Sequence, residues 1–121
     1  MRPARTPSPR QPARMGALAR LPVFFGLAGR RAVVAGGSPG AAWKAELLAS
    51  AGASVAVFAA DPGEEMRALV ERGAEAGALS LTLRDWRPGD LAGAALAVGD
   101  FEEPEAARRF RRAGARAGVP V

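Results

Sequence analysis

Short apolar runs alternate along the chain with stretches of helical spacing. Ala32 to Ala35 is apolar throughout and stops at Gly36-Gly37, the pattern of a buried strand. Residues 41–51 contain neither Pro nor Gly and are rich in Ala, Leu, Lys and Glu. Ala41, Ala45 and Leu48 fall on one face at helical spacing, so a helix is predicted there, with Gly52 capping it. SVAVF at 54–58 reads as a second strand. Pro62 and Gly63 open a second helix running to about Arg72, with Met66, Leu69 and Val70 inward and Glu64 and Glu65 at its positive end. ALSLTLRDW (78–86) alternates as a third strand, and residues 87–93 form a loop with one helical turn. Ala94 to Val98 is a fourth buried strand. Residues 103–117 form a third helix, acidic at its start (Glu102, Glu103, Glu105) and basic later, and Gly118 ends it. Strands alternating with helices predict an α/β fold with a doubly wound parallel sheet.

Both ends depart from this rhythm. LPVFFGLAGR places an apolar cluster (Leu21, Val23, Phe24, Phe25, Leu27) before a turn at Gly29. Residues 1–19 are rich in Pro and Arg without an apolar period, so they are read as a disordered basic arm, leaving 20–121 as the folded domain. A start at Met15 and a targeting or nucleic-acid arm are the competing readings of that segment. It lacks the apolar core of a secretory signal and fits a transit peptide only loosely. At the other end, Val119-Pro120-Val121 opens like a further strand, so the domain is expected to be missing its C-terminal segments.

Charge and composition narrow the chemistry. The net charge is +5, and four of those charges sit on Arg2, Arg5, Arg10 and Arg14, where no acid offsets them. The folded part is thus nearly neutral, which argues against a nucleic-acid surface. Cysteine and histidine are both absent. Thiolate chemistry, disulfides, the commonest metal ligand and the usual neutral-pH acid–base group are excluded together, and no metal site is expected. Catalysis would have to rest on carboxylates, lysine, hydroxyls or a bound cofactor. No apolar run approaches the roughly 20 residues of a membrane span.

The candidate chemistry sits in Gly36-Gly37-Ser38-Pro39-Gly40-Ala41, between the first strand and the first helix. A Rossmann turn needs one glycine for the tight turn, a second for approach of the pyrophosphate, and a third small residue for helix–strand packing. Gly36 takes the first role, Ser38 the second and Ala41 the third. Ser38 adds bulk where phosphate approaches, although its hydroxyl can donate. Pro39 removes one backbone donor but suits a first helical turn, and Gly40 keeps the loop open. Asp61 is the one acid near the end of the second strand, in a DPG turn where Asp is common anyway. The glycines alone fit a packing turn about as well as a cofactor site.

The order of the whole chain goes further. LPVFFGLAGRRAVVAGG, AAWKAELLASAGASVAVFA, LAGAALAVGDFEEPEAA and AGVPV together resemble the N-terminal domain of siroheme synthases, over roughly residues 20–121. The resemblance implies a Rossmann domain followed by a dimerisation segment and a small helical domain, with NAD as cofactor. It implies NAD-dependent oxidation of precorrin-2 to sirohydrochlorin, a homodimer and a cytoplasmic setting, with sirohydrochlorin ferrochelatase activity in many members. Carried onto this chain, NAD would contact Pro39 and Gly40, and Ala60 and Asp61 at the end of the second strand. Gly36, Gly37, Ser38, Gly99 and Asp100 complete the expected cofactor-binding set. Ser38 stands where many members have Gly, Trp43-Lys44 where many have Arg-Lys, and Val98-Gly99-Asp100 where many read Ala-Thr-Asp. The family's catalytic aspartate follows the VPV-like segment, so no residue here inherits that role and the chain alone is expected to be inactive. The alternative is a non-catalytic nucleotide-binding module whose basic arm meets an acidic partner.

Remaining candidates have plainer readings. Lys44 is a solvated helix lysine or a phosphate ligand, and Trp43 and Trp86 are rim or core packing. Arg108, Arg112 and Arg116 share one helix face, with Glu105 in reach of Arg108 or Arg109, the charge order a helix dipole favours. In the tetrapyrrole reading they would also attract an acidic substrate. Asp100, near the point between the first and fourth strands, is read as a loop or capping aspartate.

Overall fold

The computed structural model describes residue 17 and residues 19–121; the arm expected over 1–19 lies almost wholly outside the described residues. Four strands, β1 (Arg31–Ala35), β2 (Ser54–Phe58), β3 (Ala78–Thr82) and β4 (Leu96–Gly99), form one parallel sheet in the order β3-β2-β1-β4. Helices α1 (Pro39–Ser50) and α2 (Glu64–Arg72) cover one face, and α3 (Pro104–Ala117) with a 3-10 turn at Pro88–Leu91 covers the other. This is the doubly wound α/β architecture expected. Chain direction across the sheet reverses between β1 and β4, and the carboxyl ends of those two strands open a crevice there.

The burial pattern explains why β1 and β2 read as unbroken apolar runs. Ala32 and Val34 pack under α1 and α2, while Val33 and Ala35 pack under α3, so both sheet faces exclude water. On α1, the fully buried Ala41, Ala45 and Ala49 bring the helix close to the strands. On the opposite face Phe110 is the largest buried side chain, with the Trp86 ring edge-on at 4.9 Å and the Phe101 ring at 5.2 Å. Gly52, at φ +92°, follows the Ala51 C-cap of α1, and Gly118, at φ +71°, caps α3. None of the helices among the described residues is long and apolar enough to cross a membrane.

Two strand boundaries differ from expectation. β3 stops at Thr82 rather than running to Trp86, because the Arg84 N–H turns back to the Thr82 carbonyl at 2.9 Å. The Arg84 guanidinium then grips both carboxylate oxygens of Asp90 at 2.8 and 3.0 Å, pulling the chain out of the strand. β4 begins at Leu96, not Ala94, since the Ala94 N–H is used by the Leu91 carbonyl at the end of the 3-10 turn. It is also only partly buried, with Ala97 alone fully covered. The LPVFF cluster forms no regular element, and Leu21, Val23 and Phe24 face solvent while Leu27 enters the core. As anticipated, the segment after Gly118 is extended: the Pro120 carbonyl accepts from the Ala97 N–H at 2.9 Å, alongside β4.

Candidate functional site

The glycine turn stands at the carboxyl end of β1. Gly36 has φ +117°, a conformation that suits glycine, and its N–H donates to the Phe58 carbonyl at 2.9 Å, tying the turn to β2. Gly37 serves packing. A methyl group there would lie 2.5 Å from the Pro62 Cα, and the Gly37 carbonyl accepts from the Gly63 N–H at 2.8 Å. The DPG turn after β2 is thereby clamped against the first turn, placing the exposed Ala60 and Asp61 beside it.

Ser38 is the N-cap of α1: its Oγ accepts from the Ala41 N–H at 3.1 Å, and Pro39 occupies the first helical position. The Ser38 hydroxyl proton goes to the Asp100 carboxylate, a contact made across the crevice from the end of β4. That corrects the expectation of a hydroxyl free to donate to phosphate. Gly40 is likewise not a loop residue but part of the first helical turn. A methyl group on it would meet the Asp100 Oδ2 at 2.7 Å, so a larger residue here would push the exposed carboxylate aside. Asp100 is held in place by its own N–H, which donates to the Ala35 carbonyl at 3.2 Å. Its negative charge beside the helix start is favourable to the α1 dipole.

Lys44 is not the solvated helix lysine of its plainer reading. Its ammonium donates to the Gly99 carbonyl at 3.1 Å and bridges α1 to the end of β4, half-buried. Sequence spacing carried no signal for this pairing, because the partners are 55 positions apart. The two tryptophans are far apart in role: Trp43 is exposed on α1, while Trp86 packs against Phe110. Glu105 pairs with Arg108 at 2.8 Å and with Arg112 at 3.3 Å, and these two guanidiniums, Arg108 first, hold its carboxyl below the usual range.

The crevice fits a dinucleotide backbone at two points. Gly36 and Gly40 present no side chain toward it, and the Gly40 N–H, in the first turn of α1, has no carbonyl partner within the helix. The donor set is thinner than in an all-glycine turn, since Pro39 has no N–H and that of Ala41 is taken by Ser38. A cleft of about 650 Å³ opens next to the turn on the α3 side, with Gly36, Asp100, Trp86 and Arg109 among its lining residues.

Comparison with known proteins agrees with this arrangement. A family described as NAD(P)-binding matches residues 23–121. The siroheme synthase of Pseudomonas paraeruginosa is 44% identical over 102 residues, 84% of this chain and 21% of that protein. That of Azotobacter vinelandii is 42% identical over 101 residues, again 84% and 21%. Siroheme synthase 2 of Halorhodospira halophila is 34% identical over 100 residues. The chain thus spans about a fifth of the length of these relatives. Among solved structures, the precorrin-2 dehydrogenase SirC superposes with a TM-score of 0.64 at 22% identity, covering 77% of this chain and 44% of that one, a likeness of fold. The sequence resemblance to siroheme synthases, and NAD as the cofactor it implied, are both borne out.

Proposed function

The chain belongs to the NAD(P)-binding family that matches residues 23–121, and from that premise we propose that it is the dinucleotide domain for oxidation of precorrin-2 to sirohydrochlorin in siroheme biosynthesis. The observation that carries this reading is the position of the Gly36–Gly40 turn, at the carboxyl ends of β1 and β4 where the strand order reverses. In it, Gly36 presents no side chain to the pyrophosphate, and the Gly40 N–H and the α1 dipole receive its charge. Gly37 holds the DPG turn in place, so that Ala60 and Asp61 reach a ribose. Ser38 and Pro39 fix the helix start, and Asp100 with Gly99 fixes Ser38 and Lys44 respectively. Held by these residues, NAD would supply a two-electron, hydride-accepting oxidant for the ring, whose accompanying proton would pass to solvent. The chain's own part is to orient the nicotinamide at the β1/β4 crevice. A homodimer and a cytoplasmic setting belong to the same reading.

Calorimetric titration with NAD tests the first half. A dissociation constant between roughly 1 μM and 1 mM is expected, the range of ordinary enzyme–substrate affinities. No heat and no change in tryptophan fluorescence at several millimolar NAD would refute it. The second half is tested by adding precorrin-2 and NAD to the protein as its gene encodes it and following NADH; sirohydrochlorin and NADH should appear in equal amounts.

A further inference from the structure

The Asp100 carboxylate stands at the turn that is read above as receiving pyrophosphate. Among the first residues of α1, Pro39 has no N–H, that of Ala41 donates to the Ser38 hydroxyl, and that of Ala42 donates to the Ser38 carbonyl at 2.9 Å. The Gly40 N–H is the donor left over at the helix start. Asp100 reaches this turn from just beyond the end of β4. Its Oδ2 accepts the Ser38 hydroxyl proton and lies 2.7 Å from where a Gly40 Cβ would stand. Its backbone faces Gly36, where an added methyl group would meet the Asp100 carbonyl at 3.2 Å. Both open glycines of the turn are thus faced by one residue. No ion pair holds the carboxylate among the described residues, and the Lys44 ammonium goes to the neighbouring Gly99 carbonyl instead. One hydroxyl and the helix dipole keep it over the turn.

Resting on the reading above, we infer that Asp100 is an internal anion competing with the cofactor's pyrophosphate for the start of α1, and that its contact with Ser38 is a latch that must open for the dinucleotide to bind. A helix start stabilises negative charge through its free N–H groups and its dipole, and a carboxylate and a phosphate draw on the same source. Two anions at one turn also repel each other, so the closed arrangement and the loaded one exclude each other. Opening needs only a side-chain rotation. Asp100 is exposed, and turning its carboxylate to water leaves its N–H on the Ala35 carbonyl and the end of β4 in place. Ser38 goes on capping α1 through Ala41. The apparent affinity for the cofactor is then the intrinsic affinity reduced by the fraction of molecules in which the latch is open. Asp100 is therefore a positioning residue that sets cofactor affinity without touching the cofactor.

NAD and inorganic pyrophosphate are titrated calorimetrically against the full chain and its variants Asp100→Ala, Asp100→Asn, Ser38→Ala, Ser38→Ala with Asp100→Ala, and Glu102→Gln. Glu102 is an exposed acid on the same loop, so its substitution reports diffuse charge effects. Asp100→Ala should tighten both ligands at least about fivefold, Asp100→Asn less, because its neutral amide still accepts from Ser38, and Glu102→Gln less than about twofold. In the Ser38→Ala background the gain from removing Asp100 should shrink, because nothing then holds the carboxylate over the turn. Unchanged far-UV circular dichroism checks the fold. Pyrophosphate that binds wild type and Asp100→Ala equally well, or binds neither, overturns the inference, as does an equal gain in Glu102→Gln or an undiminished gain in the Ser38→Ala background. A fall in NAD affinity on removing Asp100 also overturns it, since the carboxylate would then be a contact of the cofactor. Tighter pyrophosphate binding by Asp100→Ala, with NAD bound by no variant, leaves the latch standing and defeats the dinucleotide reading.

Discussion

Ser38 donates its hydroxyl proton to Asp100, 62 positions away, and so closes the glycine turn against the end of β4. The same oxygen caps α1 by accepting from Ala41. One residue thus does two structural jobs at the place where a dinucleotide fold most often puts glycine. Its two roles separate by substitution. Ser38→Ala loses the cap and should cost about 1 kcal/mol in chemical denaturation, whereas Ser38→Gly should cost only a few tenths. With the side chain gone and the Ala41 N–H released, Ser38→Gly should bind NAD at least as tightly as wild type. A severalfold loss on that substitution would mean that the serine itself contacts the cofactor.

Gly37 tests the clamp between the two βα turns. A methyl group would stand 2.5 Å from the Pro62 Cα, which is backbone and cannot swing aside. Gly37→Ala should destabilise by roughly 1–3 kcal/mol, the usual range for overpacking, and should weaken NAD as Ala60 and Asp61 shift. Urea unfolding and NAD titration of the same preparation read both effects.

Lys44 ties α1 to β4 through the Gly99 carbonyl. Lys44→Met keeps the aliphatic stem and removes the donor, leaving a half-buried carbonyl short of a partner. A loss of about 1.5–3 kcal/mol is expected, the range for hydrogen bonds involving a charged group. A lysine that served only as a phosphate ligand would change NAD affinity and leave unfolding untouched.

Asp90 makes stability depend on pH. The Arg84 hydrogen bonds are the main cause that holds its carboxyl below its ordinary 3.8, with the Arg87 N–H at 2.7 Å adding to them. A depressed folded-state value means that the contribution is complete above 3.8 and lost as pH falls through the lower folded value. Asp90→Asn should therefore be less stable than wild type at neutral pH, and the gap should close in strongly acidic solution. Parallel thermal melts across that window decide it; a gap that persists unchanged at low pH contradicts the assignment.

Phe110 anchors the α3 face. It is 2% exposed and touches both Trp86 and Phe101. Phe110→Ala should cost about 3–5 kcal/mol, a large share of the 5–15 kcal/mol available to an ordinary domain. Tryptophan fluorescence should shift as Trp86 loses its edge-to-face neighbour.

The element order was legible because local rules sufficed for it. Runs such as VAV at 55–57 could only be strands buried on both faces, and Gly52 and Gly118 stand just past helix ends where the φ values of +92° and +71° suit them. Family membership was legible because the resemblance extends over most of the chain. Strand ends were harder. β3 ends early and β4 starts late because Arg84, Asp90 and Leu91 use backbone and side-chain groups in contacts that no periodicity records.

What the sequence determined by itself, then, is the alternation of strands and helices, the parallel sheet they imply, and the place of the glycine turn between the first strand and helix. Those follow from spacing and from the conformational freedom of glycine, which act over a few residues. Only the tertiary structure decided what the turn residues do. Gly37 is a packing glycine because Pro62 lies against it, Gly40 lies against the Asp100 carboxylate, and Ser38 is an engaged donor rather than a free one. It also brought arginines of α3 together with Trp86 and Phe101 in the lining of one cleft. Each of these depends on residues tens of positions apart meeting at the end of the sheet, and a contact of that kind leaves no local pattern to be read.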